Sequence, residues 1–277
     1  MRLRSLLFVP GDRPDRMVKA LGLGADALIL DLEDSVAPAN KADARRAIAD
    51  FLSGHDRSGA HLFVRVNPID SGYFEDDLAA ILDAKPDGLV LPKAEGAASV
   101  RHLAGRAGVP ILPIATETPA AVFRMGEYSE VADKLAGITW GAEDLPAAIG
   151  AAASRDGQGD YLPPYQLARS LTLFAAAAAG VEPIETVYPN IQDLDGLQRI
   201  AEAAARDGFT GMMAIHPSQV PVINAAFTHT PAQVDHARAI VAAFDANPEA
   251  GALQLGGKMI DAPHLKQARR ILERASS

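Results

Sequence analysis

Cysteine is absent from the 277-residue chain. That excludes a disulfide framework, a cysteine-bound zinc and a thiol nucleophile, so any metal ligand or nucleophile must be oxygen or nitrogen; the chain suits a reducing cytoplasm. Long apolar runs are also missing. The most apolar helix, around Leu171 to Gly180, is mostly alanine and falls far short of the ~20 residues that cross a bilayer, so no membrane segment is expected. The opening Met1 to Val9 starts like a signal peptide, but its apolar run stops at Pro10-Gly11-Asp12 and reads better as a first strand. Positive charge is in deficit, with a net charge of −9, which argues against nucleic acid as a partner. Arg2, Arg4, Arg13, Arg16 and Lys19 lie close in sequence, followed by Lys41, Arg45 and Arg46; such a basic patch suits either a phosphorylated cofactor or solvated helix faces. No repeat of 20 to 50 residues and no low-complexity linker interrupts the chain.

What is present is 48% hydrophobic and 22% charged, the balance of a globular protein. Short β-branched and leucine-rich runs alternate with longer amphipathic, alanine-rich stretches, the βαβ signature of a parallel sheet. The runs predict strands at Ser5–Val9, Ala27–Leu32, Leu62–Asn67, Gly88–Pro92, Ile111–Ala115, Gly137–Trp140, Glu185–Tyr188 and Met212–Ile215. The helix expected after Asp144 runs on toward a long one near Pro164–Ala179. Eight candidate strands favour one TIM (β/α)₈ barrel over residues 1–227, with a C-terminal helical extension over 228–277. The Gly-rich 251–257 stretch before Lys258-Met259-Ile260-Asp261 makes that extension either a cap or a mobile lid.

A barrel of this kind builds its site at the C-terminal strand ends. Asp31-Leu32-Glu33-Asp34, Arg65 and Asn67, Lys93, Glu117, Glu143-Asp144 and His216 all fall there. One carboxylate in such a place is usually a helix cap. Several converging on one mouth repel one another unless a cation holds them, and an oxygen-only ligand set selects Mg²⁺, with Mn²⁺ as alternative. Glu117 and Asp144, after neighbouring strands, are the best pair of metal ligands, with Glu33 and Asp34 positioned to bond metal-bound water. Arg65 suits a substrate carboxylate, or an ion pair with one of those acids. Tyr161, Tyr165 and Arg169 are read as supporting the sixth helix, and His216-Pro217 as a strand terminator.

Taken together, Leu7-Phe8-Val9-Pro10-Gly11, Asp31-Leu32-Glu33-Asp34-Ser35-Val36, Val64-Arg65-Val66-Asn67, Leu91-Pro92-Lys93, Glu117-Thr118-Pro119, Gly141-Ala142-Glu143-Asp144-Leu145 and Ile215-His216-Pro217-Ser218-Gln219 resemble the citrate lyase beta subunit family of the HpcH/HpaI aldolase superfamily. The resemblance implies a TIM barrel, usually trimeric or a hexamer built of trimers, with Mg²⁺ on Glu117 and Asp144. It implies that Arg65 grips a 2-oxo acid beside Gly141 and Ala142, and that Arg13 and Lys41 meet the phosphates of coenzyme A. Gly257-Lys258-Met259-Ile260-Asp261 looks like the C-terminal segment of the CoA-lyase members, in which an aspartate from a neighbouring subunit's lid enters the site. Asp261, Arg65 and Glu33 are therefore the catalytic candidates. The chain departs from the family at Gly211-Met212, where relatives often carry Gly-Lys, and at Glu185, where many carry aspartate.

The implied activity is Mg²⁺-dependent carbon–carbon cleavage or formation of a 3-hydroxyacyl-CoA such as malyl-, citramalyl- or citryl-CoA, giving an acyl-CoA and a 2-oxo acid in the cytoplasm. Alternatives are an aldolase acting on free 4-hydroxy-2-oxo acids, the beta subunit of a citrate lyase complex working on an acyl carrier protein, and a non-catalytic subunit that binds an oxo acid.

Overall fold

The computed structural model describes residues 1–54, 59–157 and 159–275. Among these, eight strands form one parallel sheet in the order β5-β4-β3-β2-β1-β8-β7-β6. They are β1 (Ser5–Pro10), β2 (Ala27–Asp31), β3 (His61–Arg65), β4 (Gly88–Leu91), β5 (Ile111–Pro113), β6 (Gly137–Thr139), β7 (Glu182–Glu185) and β8 (Gly211–Ala214). Parallel bridges from Ile111 to Leu135 and from Ile114 to Thr139 join the two ends. The result is a nearly closed TIM barrel. Strands β2, β4 and β8 are buried from end to end, which explains why they read as nearly unbroken apolar runs.

Helices α1 (Pro14–Ala20), α2 (Lys41–Gly54), α3 (Phe74–Ile81), α4 (Gly96–Ala104), α5 (Pro119–Val122), α6 (Leu145–Ile149), α7 (Pro163–Ala179), α8 (Leu194–Asp207) and α9 (Gln219–Ala226) follow the strands in turn. Inside the barrel Leu6, Ala27, Ile29, Phe63, Val90, Leu112, Ile114, Ile184 and Met213 pack as one cluster.

Three expectations shift. β7 lies three residues earlier than the Glu185–Tyr188 reading, because Pro183 sits inside it, paired with Ile138. The helix after Asp144 does not run on: Gly150 at φ 72° ends α6 in a left-handed cap, and an Arg155–Tyr161 bridge precedes α7. The Gly-rich 251–257 stretch, expected in a cap or a mobile lid, holds a strand and a two-residue hairpin turn.

The chain divides into two compact units, one from Leu3 to Ala225 and the other from Ala226 to Ser277. Within the second, α10 (Pro231–Asp245) starts on a Thr230/Gln233 capping box. The antiparallel pair β9 (Ala252–Leu255) and β10 (Lys258–Asp261) and the final helix α11 (Ala262–Ala275) complete it. Gly256 and Gly257, at φ 57° and 81°, form the two-residue turn between the strands. Ala237, Ile240, Phe244, Ile260 and Ala268 are its core. Among the described residues no helix is long and apolar enough to cross a membrane.

Candidate active site

Strand alternation delivers charge to the barrel mouth. Ile29 and Phe63 point into the core, so two residues on, Asp31 and Arg65 stand above them on the same inner face. The two are direct register partners, and Arg65 forks onto Asp31 through Nε to Oδ1 at 2.6 Å and Nη2 to Oδ2 at 2.7 Å. Phe8 lies flat beneath, its ring 4.7 Å from the guanidinium carbon. Burial works to raise the Asp31 carboxyl, but the charge and hydrogen bonds of Arg65 outweigh it and hold Asp31 below the usual carboxylate range. Arg65 is thus ion-paired along its Nε/Nη2 edge, while Nη1 is unbonded to Asp31 and faces Asp34 Oδ2 at 3.7 Å and Glu33 Oε2 at 2.9 Å. That distance is an ion pair's, yet no N–H points at Oε2, which is left without a donor among the described residues.

Lys93 joins the remaining acids. At φ 50° it occupies the left-handed region, rare for a side chain with Cβ and a form of strain that collects at functional sites. In that conformation its backbone N–H donates to Glu117 Oε2, while its ammonium lies 3.0 Å from Glu33 Oε1 and 3.8 Å from Asp144 Oδ1. One residue after β4 thus touches acids that follow β2, β5 and β6. Burial, supplemented by the Glu33 and Asp144 charges, pushes Glu117 up to about 8 despite the Lys93 N–H. Burial also raises Glu33, against the pull of Arg65 and Lys93. Lys93 itself is raised: burial acts downward, but Glu33, Glu117 and Asp144 prevail.

Gly141 makes room for this cluster, since a Cβ there would lie 2.5 Å from Glu117 Cγ. Its backbone is bound in both directions by Thr116 Oγ1, at 3.2 and 3.3 Å, and Ala142 beside it is buried. Among the described residues no three or more His, Asp or Glu side chains are arranged to hold a metal ion by themselves. Two carboxylates are nevertheless what magnesium usually takes from a protein, the other positions going to water and substrate. The buried, charge-crowded Glu117 next to half-exposed Asp144 fits such an ion.

Other expected residues fall differently. Arg13 is solvent-exposed at the start of α1, 3.8 Å from Asp12. Lys41, expected at a phosphate, turns inward: its ammonium donates to the Leu32 and Glu33 carbonyls at 2.7 and 3.0 Å, so it caps the loop after β2 instead of reaching into solvent. Asp261 belongs to the second unit, where it pairs with His264. Glu185 is fully engaged, accepting from Trp140 Nε1, Thr186 N–H and Arg169 Nε. Arg169 continues to Asp207 and stacks on Phe209, a supporting role. Asp31 and Lys93 are the residues that sequence reasoning left without a role. Asp31 had a visible signal, an acid at the strand end facing Arg65's; the conformation of Lys93 had none.

Comparison with known proteins is decisive at this point. Residues 4–217 match the family model described as HpcH/HpaI aldolase/citrate lyase, and residues 167–277 match a second, C–C bond lyase of the TIM-barrel fold. The chain belongs to the HpcH/HpaI aldolase/citrate lyase family. It is an enzyme of carbon–carbon lyase type. A citrate lyase subunit beta-like protein of Mycobacterium tuberculosis is 38% identical over 97% of this chain and 94% of its own length. The mitochondrial citramalyl-CoA lyase of Mus musculus is 36% identical over 99% of this chain and 86% of its own. Among solved structures, the CitE protein of Mycobacterium tuberculosis in complex with magnesium, acetoacetate and coenzyme A superposes with a TM-score of 0.85 at 36% identity, covering 100% of this chain and 99% of that one.

Proposed function

We propose that the chain is a magnesium-dependent lyase that cleaves, or in reverse forms, a 3-hydroxyacyl-CoA thioester, giving an acyl-CoA and a 2-oxo acid. The observation that carries this reading is the acid cluster of Glu33, Glu117 and Asp144 beside the anchored Arg65, in a chain whose relatives include a citramalyl-CoA lyase and a protein solved with magnesium and coenzyme A. Glu117 and Asp144 would hold the ion, which when bound supplies Lewis-acid stabilisation of negative oxygen on the oxo acid.

The protein's own groups do the rest. Arg65, its Nε/Nη2 edge locked by Asp31, offers its Nη1 side to the oxo-acid carboxylate. Glu33, raised by burial and with Oε2 lacking a donor, takes the substrate hydroxyl proton. As the C–C bond breaks, its electron pair passes to the thioester as an enolate and the hydroxyl carbon becomes the oxo-acid carbonyl. Asp261, on a lid supplied by a neighbouring subunit of a homotrimer, returns a proton to the enolate carbon. The backbone at Gly141 and Ala142 lines the oxo-acid side, exposed Arg13 meets the coenzyme A phosphates, and the enzyme works in the cytoplasm.

The test is a panel of malyl-, citramalyl- and citryl-CoA with and without Mg²⁺, following oxo acid and free CoA separately. Mg²⁺-dependent release of oxo acid with the thioester intact supports the lyase. Release of free CoA alone, or no turnover of any thioester, overturns it.

A further inference from the structure

Asp261 closes β10 and immediately precedes α11. Its neighbour Ile260 is packed into the core of the second unit, which fixes the strand, so alternation puts Asp261 with exposed Met259 on the hairpin's outer face. Three residues into the chain beyond it, His264 folds back. A single ring nitrogen, Nδ1, lies 2.5 Å from Asp261 Oδ1 and 3.2 Å from the Asp261 backbone nitrogen.

These two contacts make opposite demands. Toward an ionised carboxylate Nδ1 must carry the proton and donate; toward the backbone N–H it must be bare and accept. An ordinary capping box would meet only the second demand, since the third helical residue simply accepts the N-cap N–H. Here the same atom can serve the carboxylate in either protonation state. It donates through Nδ1–H while Asp261 is ionised; once the carboxyl holds its own proton, the imidazole carries its ring proton on Nε2, exchanged through water, and bare Nδ1 accepts from the N–H.

We propose that His264 is the positioning residue for Asp261, holding its carboxylate in one rotamer and following its charge as it gives up and regains a proton. This rests on the reading of Asp261 as the acid–base group at the enolate carbon. In this role the imidazole acts through the aspartate.

The experiment compares Asp261→Asn, His264→Ala and His264→Asn in the full-length protein, with citramalyl-CoA and malyl-CoA as probes and thermal unfolding as the control for the helix cap. Asn places an amide donor where Nδ1 stood. The expected result is that Asp261→Asn lowers kcat by the about 10²–10⁴-fold typical of a lost acid–base group. His264→Ala lowers kcat about tenfold, within the about 10–100-fold span seen when an orienting partner is lost, with KM unchanged, and His264→Asn recovers most of that loss. Parent kcat in His264→Ala while Asp261→Asn is impaired overturns the role of His264 and leaves that of Asp261 standing. A loss in His264→Ala that follows its melting temperature and is not recovered by His264→Asn assigns the imidazole to the helix cap and also overturns the proposal. Parent kcat in Asp261→Asn, or no turnover of either thioester by the parent enzyme, removes the underlying reading and the inference with it.

Discussion

Replacing Gly141 with alanine puts a methyl carbon 2.5 Å from Glu117 Cγ and 3.2 Å from its Cδ and Oε1. Carbon atoms at ease stand about 3.5–4.0 Å apart, so the Glu117 side chain must retreat by about 1 Å. It cannot do so by swinging only its tip, because the clash is with the stem, and its carboxylate is held by the Lys93 N–H. The carboxylate itself therefore moves. Overpacking of this kind costs about 1–3 kcal/mol of stability, tolerable for a barrel of this size, whereas a displacement of about 1 Å in a catalytic constellation costs about 10²-fold in rate. Turnover of the best thioester in the panel, together with calorimetric titration of Mg²⁺, measures both consequences: turnover down by that factor and a weakened Mg²⁺ isotherm in a folded protein. A folded Gly141→Ala variant with parental turnover and parental Mg²⁺ affinity would refute the placement of Glu117 at the ion.

Glu117 also predicts a pH signature. Its folded value of about 8 lies above its ordinary 4.5, so the stability tied to its protonated form is complete below the ordinary value and is lost as pH rises through about 8; Mg²⁺, needing the ionised form, binds better across the same interval and releases a proton below it. Melting temperature against pH, with and without Mg²⁺, should show the gap widening upward in pH. Asp31→Asn breaks the fork that anchors Arg65; losing one partner of a buried pair costs about 3–5 kcal/mol, read by urea unfolding, and oxo-acid KM should rise. Lys93→Met removes the ammonium lodged between Glu33 and Asp144; the Mg²⁺-free protein should lose stability and Mg²⁺ should bind more tightly, because a competing cation is gone, and a weaker calorimetric Kd would contradict this.

The barrel was legible because eight short apolar runs alternate with amphipathic stretches, and the charge at its mouth because polar residues follow the runs at their C-terminal ends: Asp31 two past Ile29, Arg65 two past Phe63. β7 was misplaced because Thr186-Val187-Tyr188 carries stronger β propensity than the proline-containing segment that is the strand. The Gly256-Gly257 turn between Ala252–Leu255 and Lys258–Asp261 carries a hairpin signal within a stretch read only as cap or lid. Lys41 and Lys93 were beyond sequence reasoning for a common reason: both ammoniums are aimed by tertiary partners, the carbonyls after β2 and the acids of three separate strands. The pairing of His264 with Asp261 is local, three residues apart, a spacing open to a closer sequence reading.

In the proposed site Glu117 and Asp144 share one divalent ion at the mouth of the barrel. Crystals grown with Mn²⁺ and pyruvate, measured for anomalous scattering, test it most directly. The expected map has one strong peak bonded to a carboxylate oxygen from each of Glu117 and Asp144, with pyruvate on the same ion and its carboxylate toward Arg65. A peak bonded to other residues, or none in crystals whose protein turns over thioester with Mn²⁺, would contradict it.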